Sequence, residues 1–163
     1  DLKLVFAADG MERPALEKMA RRLGVADRVV FCGQIAREEM FEYLAGATAA
    51  VYTGLREEGG VALVEGMLHG APTVLLGHGG VVPIAEAAID PSRIRIVKPG
   101  SMSETAQRVA DAIDAFAANP PTGTGPNLDQ TKHRRLFQRA VFDAIDTARA
   151  PAVASRFAAR VDA

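Results

Sequence analysis

Apolar residues fall into short continuous runs that alternate with stretches of helical spacing. The run "LKLVFAA", from Leu2 to Ala8, is apolar nearly throughout, the pattern of a strand covered on both faces, and it ends at the turn pair Asp9-Gly10. Pro14 then suits a first helical turn, Leu16, Met19, Ala20 and Leu23 share one helical face, and Gly24 supplies the stop. "RVVFCG" predicts a second strand, and "REEMFEYLAGA" a second helix with Met40, Phe41 and Leu44 on one side. A strand at "TAAVYTG", a helix over "GGVALVEGMLHG", a strand at "PTVLL", a short helix near "VPIAEAA" and a strand at "RIRIVK" continue the series. "SETAQRVADAIDAFAANP" adds a helix with Ser103 as candidate cap and Val109, Ile113 and Phe116 facing inward.

This alternation predicts an α/β fold: a Rossmann-like parallel sheet with helices on both faces, joined by right-handed crossovers, over residues 1–118. "NPPTGTGPN", with three prolines and two glycines, reads as a connecting loop over 119–128. It is not a dinucleotide fingerprint, since Gly123 and Gly125 follow no strand. In residues 129–163, Leu136, Phe137, Ala140, Val141, Ala144 and Ile145 recur at helical spacing, which predicts a long final helix and a tail packed on the same domain.

Composition narrows the function classes. The chain of 163 residues fits one domain, and 48% hydrophobic residues with a single cysteine exclude a disulfide scaffold and a disordered chain. Cys32 is expected to be a buried small hydrophobe. A net charge of -1 provides no field to gather nucleic acid, and the basic cluster Lys132 to Arg135 reads as a solvated helix face. No apolar run approaches the roughly 20 residues of a membrane span and no signal peptide opens the chain, so a soluble, cytoplasmic protein is expected. The chain enters an apolar strand at once and has no initiating Met, so it reads as cut from something longer.

The candidate chemistry lies after "TAAVYTG", where Arg56, Glu57, Glu58, Gly59 and Gly60 lead into a helix. The first N–H groups of a helix lack intrahelical partners, and glycines let an anion approach them; the dipole favours negative charge there by about 0.3 to 2 kcal/mol. That start is a candidate phosphate seat. Carboxylates beside a phosphate need hydroxyl partners, and Glu65, about a turn inside the helix, could accept from a ribose while Glu57 faces a second sugar. The plainer reading, that these acids are only caps and dipole partners, remains open on spacing alone.

The stretch "EEGGVALVE" followed by "GMLHGAPTVLL" resembles the donor-site signature of GT-B glycosyltransferases of the retaining, family 4 type, with two glutamates separated by seven residues and then a small-residue turn. Upstream, the segment from "LVFAADGMERPALEKM" to "GATAAVYTG" resembles the preceding strands and helices of that family, and the likeness continues more loosely through roughly residue 116. The resemblance implies that Glu57 contacts hydroxyls of the transferred sugar, that Glu65 binds the nucleotide ribose, and that Gly59, Gly60 and Val61 offer backbone N–H groups to the diphosphate. Glu58, at the lip of the pocket, stands where the family usually has Gly, and Gly33 and Gln34 match the loop that holds the base.

It further implies a nucleotide-diphosphate sugar as donor, no metal ion or other cofactor, and transfer to an acceptor hydroxyl with retention. The acceptor, a sugar or lipid-linked glycan, would bind through a separate N-terminal domain, which could also bring peripheral membrane association. The chain alone would then be inactive. Relatives carry an earlier, central strand, whose gap the full protein, a self-associated second copy or a rearranged strand order would fill. Two rivals remain: a GT-B epimerase or phosphorylase relative, and a non-catalytic nucleotide-sugar-binding or scaffold domain.

Other signals carry less. His69, His78 and His133 lack metal-ligand spacing, and His78 in "GHGG" reads as a turn residue. Glu86 reads as a solvent-facing helix position. No P-loop and no nucleophile elbow is present.

Overall fold

A computed structural model describes residues 2–55, 60–136 and 138–139. The chain forms two compact units, Asp1–Tyr43 and Leu44–Ala163. The first holds strand β1 (Leu4–Phe6), helix α1 (Arg13–Arg22), a 3-10 turn over Ala26–Arg28, strand β2 (Val29–Phe31) and most of helix α2 (Arg37–Gly46). β1 and β2 pair in parallel with Phe6 opposite Phe31, and this register stacks the two rings at 5.0 Å. Pro14 opens α1, and Gly24, at φ 69°, ends it as expected.

Two expectations for this unit are corrected. The run from Leu2 to Ala8 contains a strand of three residues, and Leu4 is 48% exposed rather than covered on both sides. On α1, Ala20 is buried and Leu16 half-buried, while Met19 and Leu23 are exposed. A two-stranded sheet with two short helices leaves some apolar positions uncovered. Cys32 is likewise half-buried, with its sulfur 3.7 Å from the Tyr43 hydroxyl; hydrogen bonding to Cys32 and the Cys32 charge raise the Tyr43 pKa more than burial of the phenol does.

The second unit holds β3 (Ala50–Tyr52), α3 (Val61–Leu68), β4 (Thr73–Leu76), α4 (Val81–Glu86), a 3-10 turn over Pro91–Arg93, β5 (Ile94–Val97) and α5 (Met102–Ala118). Its three strands are parallel in the order β3-β4-β5. β4 is central and buried at every position, as its unbroken apolar run requires. Alternation along it splits the core: Leu75 packs with Leu63, Met67, Val81 and Ile84 from α3 and α4, whereas Val74 and Leu76 pack with Phe116 of α5. Helices therefore lie on both faces, and truncating Leu75 to Ala is expected to cost about 2 to 5 kcal/mol. Val109 and Ile113 accompany Phe116, and the Arg95 guanidinium lies 4.8 Å from the Phe116 ring centre.

The cap of α5 is Ser101, not Ser103. The Ser101 hydroxyl accepts from the Glu104 N–H and the Glu104 carboxylate accepts from the Ser101 N–H, a reciprocal pair that needs the three-residue spacing Ser103 lacks.

The loop expected over 119–128 has no regular element, but its end is fastened down. Asn127 is wholly buried; its N–H donates to the Met67 carbonyl at 2.7 Å, and its side chain bonds the backbone of Asp90. Arg93, 2% exposed, donates from Nη1 to the Gly125 carbonyl at 3.1 Å and from Nη2 to the Gly70 carbonyl. Gly70 adopts φ 83°, and a Cβ there would come 2.7 Å from the Gly125 oxygen, so only glycine admits this crossing. Residues 130–136 are helical, with the Lys132, Arg134 and Arg135 side chains in solvent and Leu136 against the α3/α4 core. The expected positions Phe137, Ala140, Val141, Ala144 and Ile145 lie outside the described residues.

Candidate functional site

In the second unit the carboxyl end of β3 gives way to Gly54 and Leu55, and α3 starts again from Gly60 beside the carboxyl end of β4. Gly60 is buried with φ 59°, and a Cβ on it would collide with the Ile84 side chain of α4, so the helix start requires glycine at this point. As the N-cap residue Gly60 has no side chain with which to satisfy the first-turn N–H groups, and Val61, the first helical residue, is 63% exposed. Glu65 sits one turn further on and is half-buried. Gly60, Val61 and Glu65 therefore share one helix start, as the sequence pattern requires. Glu57, Glu58 and Gly59 lie outside the described residues.

Two contacts on this mouth have no sequence signature. The His78 ring Nε2 bonds the Gly54 carbonyl, which ties the chain after β3 to the β4–α4 connection, and the Gly60 backbone sits against Ile84 of α4. Glu86 is exposed, as expected.

In the first unit, Gly33 and Gln34 follow the carboxyl end of β2; Gly33 is buried and Gln34 exposed. Beside Gly33 lies an ionic cluster that pattern reading missed. Arg13 bonds Glu17 at 2.9 Å and Asp9 at 3.3 Å, reaches the Phe31 carbonyl at 3.5 Å, and its Nη1 lies 3.6 Å from where a Gly33 Cβ would be. The Glu17 hydrogen bond, with the two carboxylate charges, raises the Arg13 pKa above its ordinary value. The spacing Asp9, Arg13, Glu17, four residues at each step, was the available signal. A cavity of about 120 Å³ in this unit is lined by Glu17, Ala20, Arg21, Ala26, Val29 and Phe31, and neither Gly33 nor Gln34 borders it. Its volume is below the roughly 300 Å³ at which small-molecule sites begin.

Among the described residues no group of three or more His, Cys, Asp or Glu side chains is placed to hold a metal ion, and no helix is long and apolar enough to cross a membrane.

Residues 1–115 match the family model described as glycosyl transferases group 1. The chain is 28% identical over 114 residues to a 2-deoxystreptamine glucosyltransferase of Streptomyces kanamyceticus, covering 70% of this chain and 29% of that protein. It is 26% identical over 107 residues to a D-inositol 3-phosphate glycosyltransferase of Streptomyces griseus, covering 65% of this chain and 23% of the relative. Among solved structures it superposes on WaaG, a glycosyltransferase involved in lipopolysaccharide biosynthesis, with TM-score 0.53 and 21% identity over 72% of this chain and 32% of WaaG. The chain thus spans less than a third of the length of these proteins.

Proposed function

The chain belongs to the glycosyl transferases group 1 family and carries a Rossmann-like part of the GT-B fold, and from that premise we propose that it is the donor-binding part of an enzyme transferring a sugar from a nucleotide-diphosphate sugar to an acceptor hydroxyl. The observation that carries the reading is the start of α3. Gly60, at positive φ and without a side chain, leads into a helix whose first residue is open to solvent and whose Glu65 stands one turn in. In this reading the N–H groups of Gly59, Gly60 and Val61 and the helix dipole meet the diphosphate, which needs no metal ion there. The Glu65 carboxylate accepts from the ribose hydroxyls, Glu57 accepts from hydroxyls of the transferred sugar with Glu58 at the lip, and the Gly33–Gln34 loop faces the base. The acceptor, a sugar or lipid-linked glycan held by an N-terminal domain, attacks from the face the diphosphate leaves, with retention at the anomeric carbon, and the leaving phosphate takes the acceptor proton.

Titration calorimetry of the chain with UDP and with GDP tests this. Saturable binding of either nucleotide, weakened in Glu65→Ala, supports the donor site. No heat with either, from a folded chain, would favour a domain that keeps the fold without the ligand.

A further inference from the structure

We propose that Arg13 tunes the base selectivity of the donor site as a positioning residue: paired with Asp9, it covers Gly33 and fixes the Gly33–Gln34 turn against which the base lies. The inference rests on the donor reading above and adds to it a residue that touches no ligand.

β1 and β2 are parallel, so the chain leaves both at the same end of the pair, the end at which open parallel sheets take their ligands. Two loops meet there, one carrying Asp9 beyond Phe6 and the other carrying Gly33 beyond Phe31. Gly33 is buried and turns with φ 71°. A glycine at positive φ has little backbone preference of its own, so what packs on the turn sets the direction in which Gln34 leaves. Among the described residues, and apart from its chain neighbours, two atoms come within 4 Å of the Gly33 Cβ position: Arg13 Nη1 at 3.6 Å and Asp9 Oδ2 at 4.0 Å. Those same two atoms form an ion pair at 3.3 Å. The pair is the cover of the turn.

Arg13 is anchored on its other sides as well. Its Nε donates to Glu17 at 2.9 Å, its Nη2 reaches the Phe31 carbonyl at 3.5 Å, and its guanidinium carbon lies 5.5 Å from the centre of the Phe31 ring, which is stacked on Phe6. The sheet ladder runs one step further, through the Cys32 N–H on the Phe6 carbonyl at 3.0 Å. Backbone up to Cys32 is therefore held by β1, and Gly33, the first residue past the ladder, by Arg13 and Asp9. One guanidinium meets three acceptors lying in different directions, which suits its planar fork of donors and not a single ammonium. Its charge is already matched: Asp9 and Glu17 face it, and Arg21, 3.9 Å from Glu17, completes a cluster of two cations and two carboxylates. That balance favours holding the turn over contacting a phosphate.

Selectivity, rather than affinity at large, is what such a turn controls. In the donor reading the ribose and diphosphate are met by Glu65 and the start of α3, in the second unit, whatever the base. Loosening Gly33 and Gln34 should remove the advantage of the preferred base and leave the shared part of the nucleotide bound.

The test uses the full chain with Arg13→Lys, which keeps the charge without the fork, and Arg13→Ala, each shown by circular dichroism to fold. Calorimetry measures UDP, CDP, ADP and GDP. The wild type should prefer one base by about tenfold or more, the effect of one or two hydrogen bonds to a base edge. A ratio that shrinks to about threefold or less in either variant, through loss of the preferred nucleotide, supports the proposal. Weakening of all four in equal proportion would make Arg13 a general stabiliser and overturn it, as would unchanged ratios in both variants. A wild type that binds the four alike overturns the base-reading turn and the Arg13 role with it, while the ribose and diphosphate assignments stand. A wild type that binds none overturns the donor reading itself. The cover has a readout without nucleotide: 15N relaxation should show Gly33 and Gln34 gaining fast motion in Arg13→Ala while Val30 and Phe31 do not. Unchanged order at Gly33 would overturn the proposal whatever the nucleotides do.

Discussion

Asn127 and Asp90, 37 residues apart, exchange two hydrogen bonds: the Asp90 N–H donates to Asn127 Oδ1 at 2.7 Å, and Asn127 Nδ2 donates to the Asp90 carbonyl at 3.1 Å. The side chain of a buried residue thus completes the backbone valences of the turn before β5. Asn127→Ala leaves both groups without that partner, and a loss of about 2 to 4 kcal/mol is expected, measured by urea denaturation.

Gly60→Ala meets two obstacles, a left-handed backbone and the Ile84 side chain. Together they should cost about 1 to 3 kcal/mol. Adding Ile84→Val relieves the second obstacle but not the first, so in thermal melts the double variant should regain only part of the single variant's loss.

Glu65→Ala should weaken UDP or GDP about tenfold by removing a charged acceptor from the ribose. Glu57→Ala should leave nucleoside diphosphate affinity nearly unchanged and lower transfer by the full-length enzyme. Wild-type nucleotide affinity in both variants would refute the ribose assignment.

The reciprocal cap of α5 makes a pH prediction. Hydrogen bonds from the Ser101 side chain and backbone, aided by the Arg108 charge, lower the Glu104 pKa. A carboxyl whose folded pKa lies below its unfolded value stabilises the fold above the unfolded value, about pH 4.3, and loses that contribution as pH falls through the lowered one. Ser101→Ala should cost about 1 kcal/mol at pH 7, and the gap between variant and wild-type melting temperatures should narrow as the solution is taken from pH 5 towards pH 3.

What the sequence disclosed depended on how local the cause was. β4, buried on both faces, and the inward row Val109, Ile113 and Phe116 of α5 were legible because periodicity within one element decides them. The start of α3 was legible through its glycines and the carboxylate a turn later. Ser101 was readable, since "SMSE" contains the serine-to-glutamate spacing of a reciprocal cap, which Ser103 lacks. The exposure of Leu4, Met19 and Leu23 was not legible, because an apolar run records what a strand or helix can bury and not how many elements surround it. His78 and Asn127 were beyond pattern reading for another reason: each acts on a backbone group 24 or 37 residues away.

The match to the family model ends at residue 115, yet the interlocking of the fold does not. The carbonyls of Met67 and Gly70, at the far end of the helix that bears Glu65, are completed by Asn127 and by an Arg93 that is also bound to Gly125. A chain truncated after Ala118 should therefore melt broadly and at lower temperature than one truncated after Leu136. The inherited module and the cooperative unit have different borders, and whoever trims this protein to its family-matched portion will cut through the clasp that closes it.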